Sequence, residues 1–120
     1  MAPVVKPLGA LALLLTALAI PILGVQPQVI RLKPNQSIDA ADAQLKAQGW
    51  QPAGDPGLQP FERELAGNRL TSLSGCSGTG AGFCRYDYQR GRQRLEVITV
   101  AGPDGSGLVQ RWSETPNLAR

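Results

Sequence analysis

Two cysteines in one short stretch are the residues of this chain whose types and spacing could do chemistry. The stretch SGCSGTGAGFCRYDY runs from Ser74 to Tyr88, and Cys76 and Cys84 enclose small residues with alternating glycines. Cysteines, hydroxyl residues and glycines in such a stretch can serve thiol–disulfide exchange, metal binding, phosphate binding by a glycine-rich loop, or nucleophilic catalysis. A structural disulfide bond is the fifth interpretation.

The sequence contains no histidine, and this bears on most of the alternatives. A hydroxyl nucleophile at Ser77 or Thr79 would need Lys33 or Lys46 as its base, and nothing in the sequence places either lysine nearby. Two cysteines make a poor set of metal ligands without histidine, even if Asp87 helps. We therefore predict no catalytic residue, no metal site and no cofactor.

The glycines at positions 78, 80 and 82 form a GxGxG string in the wrong context for nucleotide binding. A nucleotide-binding loop follows a strand and begins a helix, whereas a strand-like segment follows here. Thiol-redox pairs usually stand as Cys-x-x-Cys at a helix N-terminus. A disulfide between Cys76 and Cys84 is therefore the favoured interpretation. The alternatives are a thiol-redox factor, or a small anion-binding module that uses the loop N–H groups and Arg85.

Residues 1–25 indicate export. The apolar run from Leu8 to Ile20 follows the single charge of Lys6, and Ala17-Leu18-Ala19 places small residues where a signal peptidase acts. The uncharged run from Pro7 to Val25 is also just long enough to cross a bilayer. We predict a signal peptide or membrane anchor over residues 1–25, and a periplasmic or extracellular location for the remainder.

The charge of the chain argues against nucleic acid as a partner. The formal net charge is +3, and the basic residues are scattered except in RGRQR, from Arg90 to Arg94. This charge is too small and too dispersed for nucleic-acid binding. Contact with a membrane is expected only through residues 1–25, if they stay attached.

The rest of the chain predicts one small domain with short flanking segments. Residues 26–36 contain Pro27 and Pro34 and predict an extended linker. Residues 37–115 carry the helix and strand patterns of a small α+β domain, and residues 116–120 predict a disordered tail.

The clearest predicted element is the helix in SIDAADAQLKAQGW. Ser37 is a good N-cap, because its hydroxyl can accept a hydrogen bond from the first turn, and apolar residues then recur at intervals of three and four. Gly49 suits the left-handed position after the helix, and Trp50 falls where a Schellman cap makes its hydrophobic contact. The segment FERELAGNRL predicts one or two further helical turns that end at Gly67.

From the second cysteine onward the apolar period changes to two. Cys84, Tyr86 and Tyr88 fall on one face of a strand, and Arg85 and Asp87 on the other. LEVITVA predicts a central strand, GPDGSG a turn, and LVQRWSE a third strand. We predict an α+β fold: an N-terminal apolar helix as the signal peptide, then one amphipathic helix packed on a three-stranded antiparallel meander with one disulfide.

Aromatic and arginine side chains gather on the predicted sheet, and such residues are favoured at protein interfaces. The candidate binding surface consists of Arg85, Tyr86, Tyr88, Arg111 and Trp112. For the two tyrosines a place in the core is the competing interpretation, and it is the favoured one.

Several motifs together resemble a group of small exported bacterial proteins to which no activity is assigned. Their shared pattern is Gly-Trp after the helix, Cys-x-Gly-Thr-Gly followed by Cys-x-aromatic, a threonine late in the next strand, and a terminal tryptophan. The matching residues are Gly49, Trp50, Cys76, Gly78, Thr79, Gly80, Cys84, Tyr86, Thr99 and Trp112. The resemblance implies export and transfers no functional residue to this chain.

The outline of a helix on a meander is also similar to the PepSY and β-lactamase-inhibitor-like periplasmic domains. Those domains bind proteins or scaffold envelope assemblies, so the similarity implies a non-catalytic function. We therefore predict a small exported, non-catalytic binding or envelope-associated module, with another envelope protein as its partner. The thiol-redox and anion-binding functions remain as alternatives.

Overall fold

The structure is a computed structural model that describes residues 30–78 and 82–116. Two helices and five strands follow one another in this part of the chain. They are α1 (Ile38–Ala47), β1 (Gln51–Pro52), α2 (Pro60–Ala66), β2 (Leu73–Cys76), β3 (Cys84–Arg90), β4 (Gln93–Ala101) and β5 (Gly107–Pro116).

The two ends of the chain carry predictions that fall outside the described residues. These are the signal peptide or membrane anchor at residues 1–25, and the tail beyond Pro116, the residue at which β5 ends. Within residues 30–78 and 82–116, neither helix has the length and the apolar character needed to cross a membrane.

Helix α1 begins and ends where the sequence predicts. Ser37 Oγ accepts a hydrogen bond from the Ala40 N–H at 3.1 Å, which satisfies one free donor of the first turn. After the helix, Gly49 adopts a left-handed φ of 89°, and the Trp50 N–H donates to the Leu45 carbonyl at 3.0 Å. This arrangement is a Schellman cap, and it directs the buried Trp50 into the core.

All strand pairs of the sheet are antiparallel. β4 pairs with β3 along the whole of β3 and with β5 on its other edge. β1 and β2 both pair with the remaining edge of β3, β1 near its end (Pro52 opposite Tyr88) and β2 near its beginning (Cys76 opposite Cys84). The predicted order of the last three strands is confirmed, but the sheet has five strands rather than three.

Two strands thus extend the predicted sheet. β1 lies in QPAGDPGLQP and β2 lies in the cysteine-containing stretch, and the sequence predicts neither strand. Pro52 is tolerated because β1 is a short edge strand, where a missing N–H interrupts no central ladder. α2 is the short helix expected in FERELAGNRL, and it ends at Gly67, whose φ is 71°.

Residues 30–36 belong to the domain rather than to a linker. Leu32 is buried in the core. The Asn35 N–H donates to the Val109 carbonyl at 2.7 Å, and the Val109 N–H donates to the Gln36 carbonyl at 2.8 Å. This part of the predicted linker therefore pairs with the beginning of β5, and residues 26–29 of that prediction lie outside the described residues.

The core lies between α1 and one face of the sheet. Along β3 and β4, buried residues alternate with half-buried or exposed ones, as expected for an antiparallel sheet that is covered on one side only. The buried apolar residues are Leu32, Ile38, Ala41, Leu45, Trp50, Ala66, Leu73, Cys84, Tyr86, Tyr88, Leu95, Val97 and Val109. We call the opposite side, which α1 and α2 leave uncovered, the open face.

A buried polar network fixes α1 to the sheet. The Tyr88 hydroxyl donates to Asp42 Oδ1 at 2.6 Å and accepts from Ser72 Oγ at 2.9 Å. Asp42 is only 4 % exposed, and its Oδ2 lies 3.1 Å from Lys46 Nζ. Because a buried carboxylate is costly unless it is paired and hydrogen-bonded, this network favours one position of the helix on the sheet.

We expect Tyr88→Phe to lower the free energy of unfolding by about 2–3 kcal/mol, because it removes a buried hydrogen bond to a charged group. Tyr86→Phe is the matched control: its hydroxyl accepts from Asn68 Nδ2 at 2.9 Å, and a neutral hydrogen bond contributes about 0.5–1.5 kcal/mol. Urea denaturation at neutral pH, followed by circular dichroism, measures both losses. Equal losses would contradict the role assigned to Asp42.

Candidate functional site

Cys76 and Cys84 form a disulfide bond, as the sequence predicts. The two residues lie directly opposite each other on β2 and β3, and their Cα atoms are 4.0 Å apart. Beside them, the Ser77 N–H donates to the Phe83 carbonyl at 2.7 Å. The cysteines therefore occupy the non-hydrogen-bonded position of the ladder, where opposite Cα atoms approach to about 4.5 Å. The ladder itself brings the two side chains together.

Glu62 of α2 joins the helix to the disulfide-bonded strand. Its Oε1 accepts a hydrogen bond from the Cys76 N–H at 3.1 Å, and its Oε2 accepts one from the Gln59 N–H at 3.0 Å. The Cys76 N–H is free for this contact because, in a non-hydrogen-bonded pair, it points away from β3. One carboxylate thus closes the capping box of α2 and also satisfies the Cys76 N–H at the edge of β2.

A shallow groove of about 270 Å³ lies beside the disulfide on the open face. Its lining combines both cysteines with Phe83, Arg85 and Ile98. Phe83 is 38 % exposed, although phenylalanine is usually buried. The groove therefore offers an apolar surface next to an arginine.

A charged cluster continues the open face away from the groove. Arg85 Nε lies 3.1 Å from Asp87 Oδ2 and 3.6 Å from Glu96 Oε2, and Ser74 Oγ donates a hydrogen bond to Asp87. The two carboxylates stand directly opposite each other on β3 and β4, where like charges repel. Arg85 offsets this repulsion, and the two carboxylates hold its guanidinium in place.

Two further arginines lie on β5 and on the neighbouring strand β4. Arg111 lies opposite Ile98, and Arg94 lies opposite Thr115, so all four residues belong to the open face. Both arginines are exposed, and neither forms an ion pair within the described part of the chain. Trp112 is half-buried against the core, on the other side of the sheet. Of the candidate surface, only Arg85 and Arg111 therefore lie on the open face.

Tyr86 and Tyr88 are not surface residues, which corrects one part of the candidate binding surface and confirms the competing core interpretation. They are 0 % and 1 % exposed, because the strand alternation turns them to the same side as Cys84. Burial raises the pKa of Tyr86, and burial together with the hydrogen bond to Asp42 raises the pKa of Tyr88. Their hydroxyls stabilise the fold and are not available to a partner.

The apolar side chains of the open face are not among the residues predicted from the sequence. The signal was present in LEVITVA, since Leu95 and Val97 alternate with Ile98 and Val100, so the strand is apolar on both faces. Such a run predicts a strand, but it does not tell which of the two sets of alternating side chains faces the core. Phe83 could have been placed by extending the alternation of β3 by one residue.

The glycine-rich loop is described only at its two ends. Gly78 is exposed and Gly82 is half-buried, whereas Thr79 and Gly80, which belong to the motif, lie outside the described residues. The anion-binding alternative therefore stays a prediction.

The geometry defines a mixed α+β domain with one disulfide bond and one open sheet face. Comparison with protein-family models, with curated proteins and with solved structures gave no match. The resemblance to small exported bacterial proteins, and the similarity to PepSY and β-lactamase-inhibitor-like domains, stay predictions.

We expect the double variant Cys76→Ser/Cys84→Ser to lose about 2–3 kcal/mol of unfolding free energy, as the loop-entropy relation gives for so short a ring. Cys84→Ser alone should lose about as much, because either change opens the bond. Urea denaturation measures these losses, and the unmodified protein under a reducing agent is the control. A single variant that abolished thiol exchange without losing stability would contradict the structural role.

Stability should also fall as the pH rises above about 10. The unfolded chain loses the Tyr88 proton near its ordinary pKa of 10.0, whereas the folded protein keeps it because burial raises that pKa. The unfolded state then binds fewer protons, so unfolding becomes easier with pH, by up to about 1.4 kcal/mol per pH unit for one group. Urea denaturation of the unmodified protein and of Tyr88→Phe, between about pH 8 and 11, isolates this contribution. Parallel curves would contradict it.

Proposed function

We propose that this chain is a small exported domain that acts by binding another protein of the cell envelope, without catalysis of its own. The observation that carries the proposal is the open face of the sheet. One layer of helices covers the opposite side, and the open face presents exposed arginines beside an apolar groove. Arginine and aromatic residues are enriched at protein interfaces and dominate their binding energy.

The groove end of the open face has the composition of an interface centre. Phe83 and Ile98 supply apolar area that a partner could bury, and Arg85 stands at their edge. Because Arg85 is held between Asp87 and Glu96, its side chain is ordered before a partner arrives. Side chains that are already ordered lose less entropy on binding.

The β5 end of the open face differs in charge. Arg111 donates only to the neutral Gln110 side chain within the described residues, so its guanidinium remains available to a carboxylate of a partner. Arginine binds carboxylates through two parallel hydrogen bonds, which adds geometric specificity to the attraction. We therefore assign Arg111 to recognition and Arg85 to the organisation of the groove.

Two observations support the exported location. The disulfide bond suits an oxidising compartment, and residues 1–25 have the composition of a signal peptide or membrane anchor. The resemblance to small exported bacterial proteins points the same way.

A second candidate function is thiol–disulfide exchange. It is favoured by the groove, because Cys76 is only half-buried and lines this groove together with the exposed Arg85. The cysteine variants described above separate the two functions. A reduction potential well above about −300 mV would favour exchange over a structural bond.

We expect Arg111→Glu to weaken partner binding by about tenfold, or about 1.4 kcal/mol, because it replaces attraction to a carboxylate by repulsion. Arg69→Glu is the matched control, since Arg69 is equally an exposed arginine but follows α2, belongs to no strand and does not line the groove. The full-length chain with a C-terminal tag is recovered from detergent-solubilised envelopes of its own cells, and affinity for the recovered partner is then measured. Repeated recovery of no partner, or equal effects of both variants, would contradict the proposal.

A further inference from the structure

β5 forms one edge of the sheet, and only its beginning is covered. Asn35 and Gln36 pair with Val109, and Ser37 bridges to Leu108. Between Gln110 and Pro116, no strand of the described chain pairs with the outer side of β5. An unpaired edge presents a row of free N–H and C=O groups to an incoming strand. We call residues 110–116 the free edge.

The chain leaves this edge because of its local sequence. Pro34 has no N–H to donate, and Asn35 adopts a left-handed φ of 71°. The turn is closed by a hydrogen bond of 3.2 Å from the Gln36 N–H to the Lys33 carbonyl. The preceding residues consequently turn toward the core, where Leu32 is buried. Residues 30–37 thus show that β5 accepts an extended segment at its beginning, and within the described residues this segment stops short of the free edge.

We propose that the free edge takes up an extended segment of the binding partner as an additional antiparallel or parallel strand. This inference rests on the proposed binding function, and it adds the mode of binding and the chemistry of the partner. In strand addition, backbone hydrogen bonds give affinity, and alternate side chains give specificity.

The charges beside the free edge define those alternate side chains. On the open face an added strand would meet Arg111, Ser113 and Thr115 directly. Behind them lie Arg94, opposite Thr115, and Glu96, which is opposite Ser113 and is already paired with Arg85. Arg94 and Arg111 have no carboxylate partner within the described residues, so acidic side chains fit this face. On the other face stand Trp112 and Glu114, and Glu114 already accepts a hydrogen bond from Gln93 Nε2 at 2.7 Å. Uncharged apolar side chains fit that face.

A second copy of this chain would not provide the acidic side chains. When two β5 strands pair antiparallel about a twofold axis, each residue meets a residue of the same face. Arg111 would then meet Arg111, Ser113 or Thr115 of the other copy, because Glu114 lies on the opposite face. The occupant that fits is therefore a different protein, with a segment that alternates acidic and apolar residues.

A synthetic peptide of about ten residues, of the usual strand length, tests this inference on the full-length protein in mild detergent. The probe alternates glutamate with valine, and the control alternates lysine with valine. We expect the glutamate peptide to bind at least about tenfold more tightly, a difference of about 1.4 kcal/mol. It should shift and protect backbone amide signals of residues 110–115, since Pro116 has no N–H. Arg111→Glu should abolish the preference, whereas Arg69→Glu should preserve it.

Two N-methylated versions of the glutamate peptide test the backbone pairing itself. One carries the methyl groups on its odd residues and the other on its even residues, so only one version keeps the N–H groups that face β5. One version should bind like the parent peptide and the other should not. Equal binding of both versions, or amide shifts confined to the groove at Phe83 and Arg85, would overturn strand addition.

The same measurements separate this inference from the proposed function. If Arg111→Glu weakens binding of the recovered envelope partner while that partner gives the amides of residues 110–115 no added protection, strand addition is wrong and the binding function stands. If neither the peptide nor any envelope protein binds, both are wrong. Protection of the free edge by the recovered partner, lost on Arg111→Glu, supports both.

Discussion

The hydrogen bond between Tyr88 and the buried carboxylate of Asp42 determines how the two layers of this domain meet. A carboxylate so deep in the protein requires fixed partners. Lys46 supplies one from the same helix, and Tyr88, on the inner side of β3, supplies the one that comes from the sheet. Once Tyr88 points inward, the alternation of the strand sends Arg85 and Asp87 outward. The arrangement of the core therefore also determines the composition of the open face. Core and surface are specified by the same register, and a slip by one residue would exchange them.

The parts of this fold that the sequence predicts are those with local chemical signals. Helix α1 has a hydroxyl cap at Ser37 and a glycine at its end, and each acts through contacts within a few residues. The last three strands carry an alternating pattern and a recognisable turn. The disulfide follows from two cysteines without histidine in a chain with an apolar N-terminus. For all of these, the interacting residues are close in sequence or few in number.

The parts that the sequence did not predict depend on distant partners. β1 and β2 are too short to show a period, and each contains residues typical of loops, such as Pro52 and Gly75. They become strands because β3 offers an unpaired edge. Likewise, Asn35 pairs with a strand that comes much later in the chain, and the outward phase of Ile98 depends on which face α1 covers. A pattern of residue types contains the propensity for these contacts but not the identity of the partner.

The pairing of Asn35 and Gln36 with Val109 joins a segment near the beginning of the described chain to its last strand, β5. A chain that emerges N-terminus first, from a ribosome or across a membrane, can form α1 early but has no strand for this segment until β5 has emerged. Closure of such long loops also slows folding. The domain thus reaches its final state only after β5 has been delivered. Until then, the segment around Asn35 has no strand to pair with, and this part of the domain stays open.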